Sequence, residues 1–298
     1  MEPVQTARST RPSTPQAGTD FPPAQAVMAD VQGAADAREI AIDRVGVKGV
    51  RYPIALHDPT TGGTQHTVAD IDMYVSLPHY QKGTHMSRFL EVLNEHHDQI
   101  RSDDAFAICR VVKDRLEAEA AQIRFEFPYF IDKRAPVTGQ PGKLDIRVTL
   151  EFVANGTEDF ILGIRVPATS LCPCSKKISD YGAHNQRCEM IARVRTRPGV
   201  RLWIEDLFAM VEQCASTQVF ATLKRPDEKW VTEAAYDNPK FVEDIVRDLA
   251  ITLGSDPRIT WFNVSSENFE SIHSHNAYAE ITVDKRQHSE ALVQEPSQ

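Results

Sequence analysis

No stretch of the 298 residues approaches the roughly 20 consecutive apolar residues that a bilayer-spanning helix needs. The first residues also lack the basic-then-apolar plan of a secretory signal. A basic excess is missing too: 33 Lys and Arg face 42 Asp and Glu, for a formal net charge of -9. That balance argues against a general nucleic-acid binder, which carries a basic face. It leaves room for a small anionic substrate, because a few local cations outweigh a global balance. Cysteine is scarce and odd in number, at five, which argues against a disulfide framework and for reduced thiols in metal binding or catalysis. A cytoplasmic protein is expected, with neither membrane nor nucleic acid as partner.

What is present is ordinary for a globular chain: 41% hydrophobic and 25% charged residues. Residues 1–28 are rich in Pro, Ser, Thr, Ala and Gln and read as a disordered leader, and 287–298 as a flexible tail. Between them one pattern occurs twice. A mixed apolar stretch near 42–55 precedes Ile71, Met73, Val75 and Leu77, which alternate with Asp70, Asp72, Tyr74 and Ser76 as in a half-buried strand. Helical spacing follows over 85–100 and 104–121. Then come the alternations Phe125, Phe127, Tyr129 and Ile146, Val148, Leu150, Phe152. The second half predicts strands at 160–166 and 190–194, helices at 204–216 and 239–253, and strands at 259–266 and 276–283. Pro239 suits the start of its helix. The expected fold class is α+β: two tandem ββααββ units, 29–156 and 157–286, each an antiparallel sheet with a helix pair on one face.

Chemistry concentrates in four places. SLCPCSKK at 170–177 puts Cys172 and Cys174 two positions apart beside Lys176 and Lys177, which would favour thiolate. His184 follows ten residues after Cys174, and a Cys and a His flanking a turn suit a borderline-soft divalent ion. A packed cysteine pair beside a surface histidine is the plainer reading, and Cys-x-Cys makes it the weaker one. NFESIHSHN at 268–276 holds Glu270, His273 and His275; in an extended segment both rings leave one face, next to a proton-transfer carboxylate. A polar hairpin loop is the alternative there. Glu228, in RPDEKW at 225–230, reads by itself as a solvated loop charge between two helices. QKGTHMSR at 81–88 marks a strand-to-helix junction, where backbone N–H groups with Lys82 and Arg88 would receive phosphate oxygens. Helix capping by Thr84 explains that segment equally well.

At these residues the chain resembles the type IB GTP cyclohydrolases. The resemblance runs through VGVKGVRYP at 45–53, KGTHMSRF at 82–89, residues 172–187, LKRPDE at 223–228, NPKFVED at 238–244 and residues 268–278. It implies a tunnelling fold (T-fold) with two units per chain and active sites at interfaces between units. It also implies a homotetramer that converts GTP and water to 7,8-dihydroneopterin triphosphate and formate on the way to tetrahydrofolate. The implied metal ligands are Cys172, His184, Glu228 and His273, holding a divalent ion (zinc, manganese or iron) with no organic cofactor. The resemblance also places Cys174, Glu270 and His275 near the reacting imidazole ring as catalytic residues. Glu243 falls at the guanine edge, and Lys82, His85 and Arg88 are the other substrate-binding candidates. A carboxylate at Glu243 can accept from guanine N1–H and the 2-amino group, a donor pair that adenine lacks. Three rivals remain: a nitrile reductase of queuosine synthesis with the same fold, an archaeal-type cyclohydrolase, and a non-catalytic zinc-binding protein.

Overall fold

Alternation of apolar and polar residues dominates the chain, and strands dominate the computed structural model, which describes residues 30–57, 62–96 and 105–286. The expected leader and tail lie outside the described residues. Eight strands form one antiparallel sheet in chain order: β1 (Ile42–His57), β2 (Thr64–Leu77), β3 (Ala121–Arg134), β4 (Pro141–Ala154), β5 (Glu158–Leu171), β6 (Asn185–Thr196), β8 (Ile259–Asn268) and β9 (Ala277–Asp284). The two-residue β7 (Thr217–Gln218) pairs with β5. Helices α1 (Met86–Glu95) and α2 (Ala105–Arg115) lie between β2 and β3. In the second half come α3 (Pro173–Ile178), α4 (Ile204–Glu212), α5 (Arg225–Asp237) and α6 (Val242–Ser255). The sheet is continuous across the expected unit boundary, because Ala154 of β4 faces Glu158 of β5.

One face of the strands meets the helices. Ile71, Met73, Phe125, Phe127 and Phe152 are buried with Phe89 and Leu93 of α1 and with Ile108 and Val112 of α2. In the second half, Met190, Phe262 and Val264 are buried with Leu207 of α4 and Leu249 of α6 in the same cluster. Each such side chain contributes about 1.5–3 kcal/mol by leaving water. Phe106 of α2 sets its ring edge-on to Phe152 at 5.0 Å, fixing that helix on the sheet. The other face carries ion pairs between strands, such as Arg193–Glu151 at 3.0 Å and Arg165–Glu189 at 3.0 Å.

Two glycines are required in β1. A Cβ at Gly46 would lie 1.9 Å from the Met73 carbonyl oxygen. Gly49 sits in a register shift with φ +69, and its N–H donates to Asp72 at 2.8 Å. That bond explains why Asp72, on the face expected to be polar, is buried.

Several element ends differ from the sequence reading. Helix α2 stops at Arg115, not 121, because Glu117 turns left-handed (φ 53) and Ala121 already pairs with Val75. Helix α1 stops at Glu95 with His96 as its cap, and residues 97–100 of the expected 85–100 helix lie outside the described residues. Helix α4 ends at Glu212, since Thr217 is drawn into pairing with Thr169. Helix α6 starts at Val242 rather than Pro239, because the Asp244 carboxylate accepts from the Phe241 N–H at 3.0 Å. The largest correction is α5: the segment read as a loop around Glu228 is a helix of 13 residues with Pro226 in its first turn.

Candidate functional site

Strand β5 ends at Leu171, and Pro173 starts α3 at once, so Cys172 is left extended as the helix cap. Its Sγ accepts from Ser175 N–H at 3.5 Å. The chain then loops back through Gly182, at φ +117, into β6. His184 closes the loop: Cys172 N–H donates to His184 O at 3.1 Å, and His184 N–H donates to Ser175 Oγ at 3.2 Å. The His184 ring Nδ1 lies 3.0 Å from Gln186 Oε1 and 3.2 Å from Ser271 Oγ. These contacts orient the ring through Nδ1, the arrangement in which an outer partner holds an imidazole whose Nε2 could ligate a metal.

Burial sorts the cysteines. It pushes the Cys188 thiol up to about 12 and Cys109 to about 11, and raises Cys214 as well. These three are packing residues. Cys172 is half-buried and Cys174 exposed. Lys176 does not turn to either thiol: its ammonium donates to the Tyr236 carbonyl oxygen and lies 4.1 Å from the Tyr236 ring centre.

Beside this corner opens a cleft of about 220 Å³, lined by Cys172, Gln186, Lys240, Glu243, Asn268 and Glu270 among others. Lys240 fastens α6 to the end of β5, its N–H donating to Leu171 O at 3.1 Å, which brings Glu243 in the first turn of α6 to the cleft. Glu270, His273 and His275 lie in the connection between β8 and β9, held by Phe269 N–H donating to Arg187 O at 2.9 Å. The two imidazoles stack with centres 5.3 Å apart and planes at 20°. They meet within a loop rather than along an extended strand, since β8 has ended at Asn268.

The structure thus gathers Cys172, Glu243 and Glu270 on one cleft, with His184 adjoining. Glu228 is not gathered. Asp227 beside it is anchored to Val137 and Thr138, whereas Lys176 of α3 meets α5 at Tyr236. Glu228 stands eight positions before Tyr236, roughly 12 Å along the helix. Among the described residues no three His, Cys, Asp or Glu side chains come together as a metal cage. The thiol of Cys172 and the imidazole of His184 are donor types that suit a thiophilic divalent ion.

The 81–88 segment lies in the first half and contributes nothing to the cleft lining. The amides at its start are engaged: Lys82 N–H donates to Ala34 O and Gly83 N–H to Gln32 O, each at 3.0 Å. His85, not Thr84, caps α1, and its Nε2 lies 3.3 Å from Asp30. Arg88 donates to Arg115 O at 3.3 Å. Sequence reasoning missed Gln186, Ser170 and Asn268. Gln186 had a signal, standing two residues after His184 and so on the same face of a strand.

A thiol, an imidazole and two carboxylates at the end of an antiparallel sheet are groups able to serve hydrolytic or metal-assisted chemistry on a small polar ligand. Comparison with known proteins is specific. The family model for type I GTP cyclohydrolase folE2 matches residues 28–279. A GTP cyclohydrolase FolE2 of Nitrosomonas eutropha is 54% identical over 261 residues, covering 87% of this chain and 97% of its own. The FolE2 of Geotalea uraniireducens is 54% identical over 262 residues, covering 87% and 95%. The chain belongs to the type I GTP cyclohydrolase FolE2 family, the type IB cyclohydrolases that its motifs resemble. Among solved structures, uricase from Arthrobacter globiformis aligns with a TM-score of 0.45 at 10% identity over 88% of this chain and 96% of its own. Urate oxidase from Bacillus subtilis gives 0.47 at 10%, over 82% and 99%. At such scores neither carries weight for function.

Proposed function

We propose that this protein is a GTP cyclohydrolase that converts GTP and water to 7,8-dihydroneopterin triphosphate and formate, at the head of folate biosynthesis. The observation that carries the reading is the joining of Cys172, Glu243 and Glu270 on one cleft, in a chain whose family is shown over most of its length.

In this reading Glu243 accepts hydrogen bonds from guanine N1–H and the 2-amino group, turning the imidazole ring of the base toward Cys172 and His184. A purine without those donors leaves the carboxylate unpaired and is rejected. Cys172 and His184, joined by His273 and Glu228, would hold a divalent ion; zinc, manganese and iron all accept such a mixed donor set. When bound, such an ion would supply Lewis acidity, bringing the pKa of a water near guanine C8 toward neutrality. Glu270 and His275 move protons at N7 and N9 as the ring opens and formate leaves, and Cys174 stands beside the reacting ring. Lys82, His85 and Arg88 do not line this cleft within one chain, so in this reading they offer side-chain charge to the triphosphate from a second copy.

Glu228 is set apart from the other ligands within one chain, so we place its contribution in a second copy. This agrees with a tandem T-fold whose ββααββ units, here 29–156 and 157–286, join through their sheets into a homotetramer. A zinc-storage protein would have no use for Glu243 at the start of α6. The test is to strip the protein of metal, restore Mn²⁺, Fe²⁺ or Zn²⁺ separately, and follow formate and the fluorescent oxidised pterin from GTP. Activity should vanish and return to different degrees; full activity in metal-free protein overturns the reading.

A further inference from the structure

Two buried side-chain oxygens, Ser266 Oγ and Asn268 Oδ1, have no hydrogen-bond partner among the described residues. Of the two residues, Asn268 lines the cleft beside Glu243 and Glu270. It is 3% exposed, and a buried acceptor left unmet is strongly unfavourable.

Its orientation is dictated by neighbours. Asn268 Nδ2 donates to Ser170 Oγ at 3.1 Å, and the Ser170 hydroxyl donates in turn to Lys240 O at 3.1 Å. With its only hydrogen committed, Ser170 offers Asn268 a lone pair, so the amide must turn its NH₂ there. A flipped amide would set two acceptors face to face. Oδ1 is thereby left without a donor among the described residues. Ser170 is fully buried, and Lys240 leads into the helix start that carries Glu243. The amide and the carboxylate are thus tied to one frame.

The guanine edge has three hydrogens: one on N1 and two on the 2-amino group. A carboxylate meeting that edge side by side takes the N1 hydrogen and the nearer amino hydrogen. The third, on the N3 side, needs an acceptor once water is gone. We propose that Asn268 Oδ1 accepts this third hydrogen, making Asn268 a specificity-determining residue that reads the guanine 2-amino group. The proposal rests on the reading of Glu243 as the guanine anchor.

The test is competition binding to the metal-loaded protein with GTP, N2-methyl-GTP and inosine triphosphate. N2-methyl-GTP keeps the hydrogens meant for Glu243 and replaces the third with a methyl group. On the unmodified protein it should bind about tenfold or more weaker than GTP. Asn268→Ala should weaken GTP by about tenfold, leave inosine triphosphate within about twofold, and shrink the N2-methyl penalty. Equal weakening of GTP and inosine triphosphate would overturn the proposal and leave Asn268 a purely internal amide. So would equal binding of GTP and N2-methyl-GTP by the unmodified protein, a result that does not depend on the variant folding. Glu243→Gln separates the two layers: unchanged GTP binding there removes the guanine anchor itself, whereas loss there with a null result at Asn268 removes only this inference.

Discussion

The backbone N–H of Cys172 donates to the carbonyl oxygen of His184 across 3.1 Å. That single bond closes an eleven-residue loop on itself and sets the thiol and the imidazole at a common corner, whereas Cys174, within the loop, is exposed. The two cysteines therefore have different prospects, and their variants should separate.

Cys172→Ser should lose bound metal sharply, since a neutral hydroxyl replaces thiolate poorly. Cys174→Ser should keep its metal and lose turnover. Metal analysis of both purified variants beside their formate-release rates checks this. Metal loss in the Cys174 variant, with normal occupancy in the Cys172 variant, would show the roles reversed.

Glu243→Gln should raise KM for GTP by about tenfold or more while leaving the fold and the metal content intact. The amide can accept from one guanine donor and presents its own NH₂ to the other. Steady-state kinetics with metal analysis decide it, and an unchanged KM and kcat refute the anchor.

The buried pair Lys133–Glu212 joins the first half of the chain to the second. Their side chains are 8% and 10% exposed. Lys133 also donates to Val219 O at 2.9 Å and Gln218 at 3.1 Å. Burial lowers the Lys133 pKa and raises that of Glu212, each against the pull of its partner. Lys133→Met should cost about 3–5 kcal/mol by stranding a buried carboxylate, and adding Glu212→Leu should recover most of it. Urea unfolding of the two variants gives the comparison, and additive losses would contradict it.

Asp227 predicts a pH signature. Burial alone would raise its pKa, but bonds from Thr138 (side chain and N–H), Lys224 N–H and Val137 N–H prevail and hold it at about 2, below the ordinary 3.8. A depressed folded value means stabilisation that is complete above the unfolded pKa and lost as pH falls from about 4 toward 2. Asp227→Asn should therefore melt below the unmodified protein at pH 7 and show a flatter loss between pH 4 and 2. Parallel melting curves across that window would sink the assignment.

Much of this was legible in the sequence, for reasons visible in particular residues. Ile71, Met73 and Val75 alternate because one face of β2 meets helices, and all three are buried as that alternation requires. The Cys172–His184 corner was legible because both residues lie within one short loop. Helix α5 was not: of its 13 residues only Asp227 and Ala235 are buried, so it carries no apolar stripe to read. The end of α2 turns on one left-handed residue, Glu117, which composition does not signal. The Asn268–Ser170 bond links residues 98 apart, and only the pairing of β6 with both β5 and β8 brings them together.

In the proposed reaction the cleft beside Cys172 and His184 opens the imidazole ring of guanine. Carbon-13 NMR of GTP labelled at C8, incubated with the metal-loaded protein, tests it most directly. The account predicts that the label leaves the base as formate, one formate for each 7,8-dihydroneopterin triphosphate, and that Glu243→Gln suppresses both together. A label that stays in the purine, or formate that appears without the pterin, would contradict it.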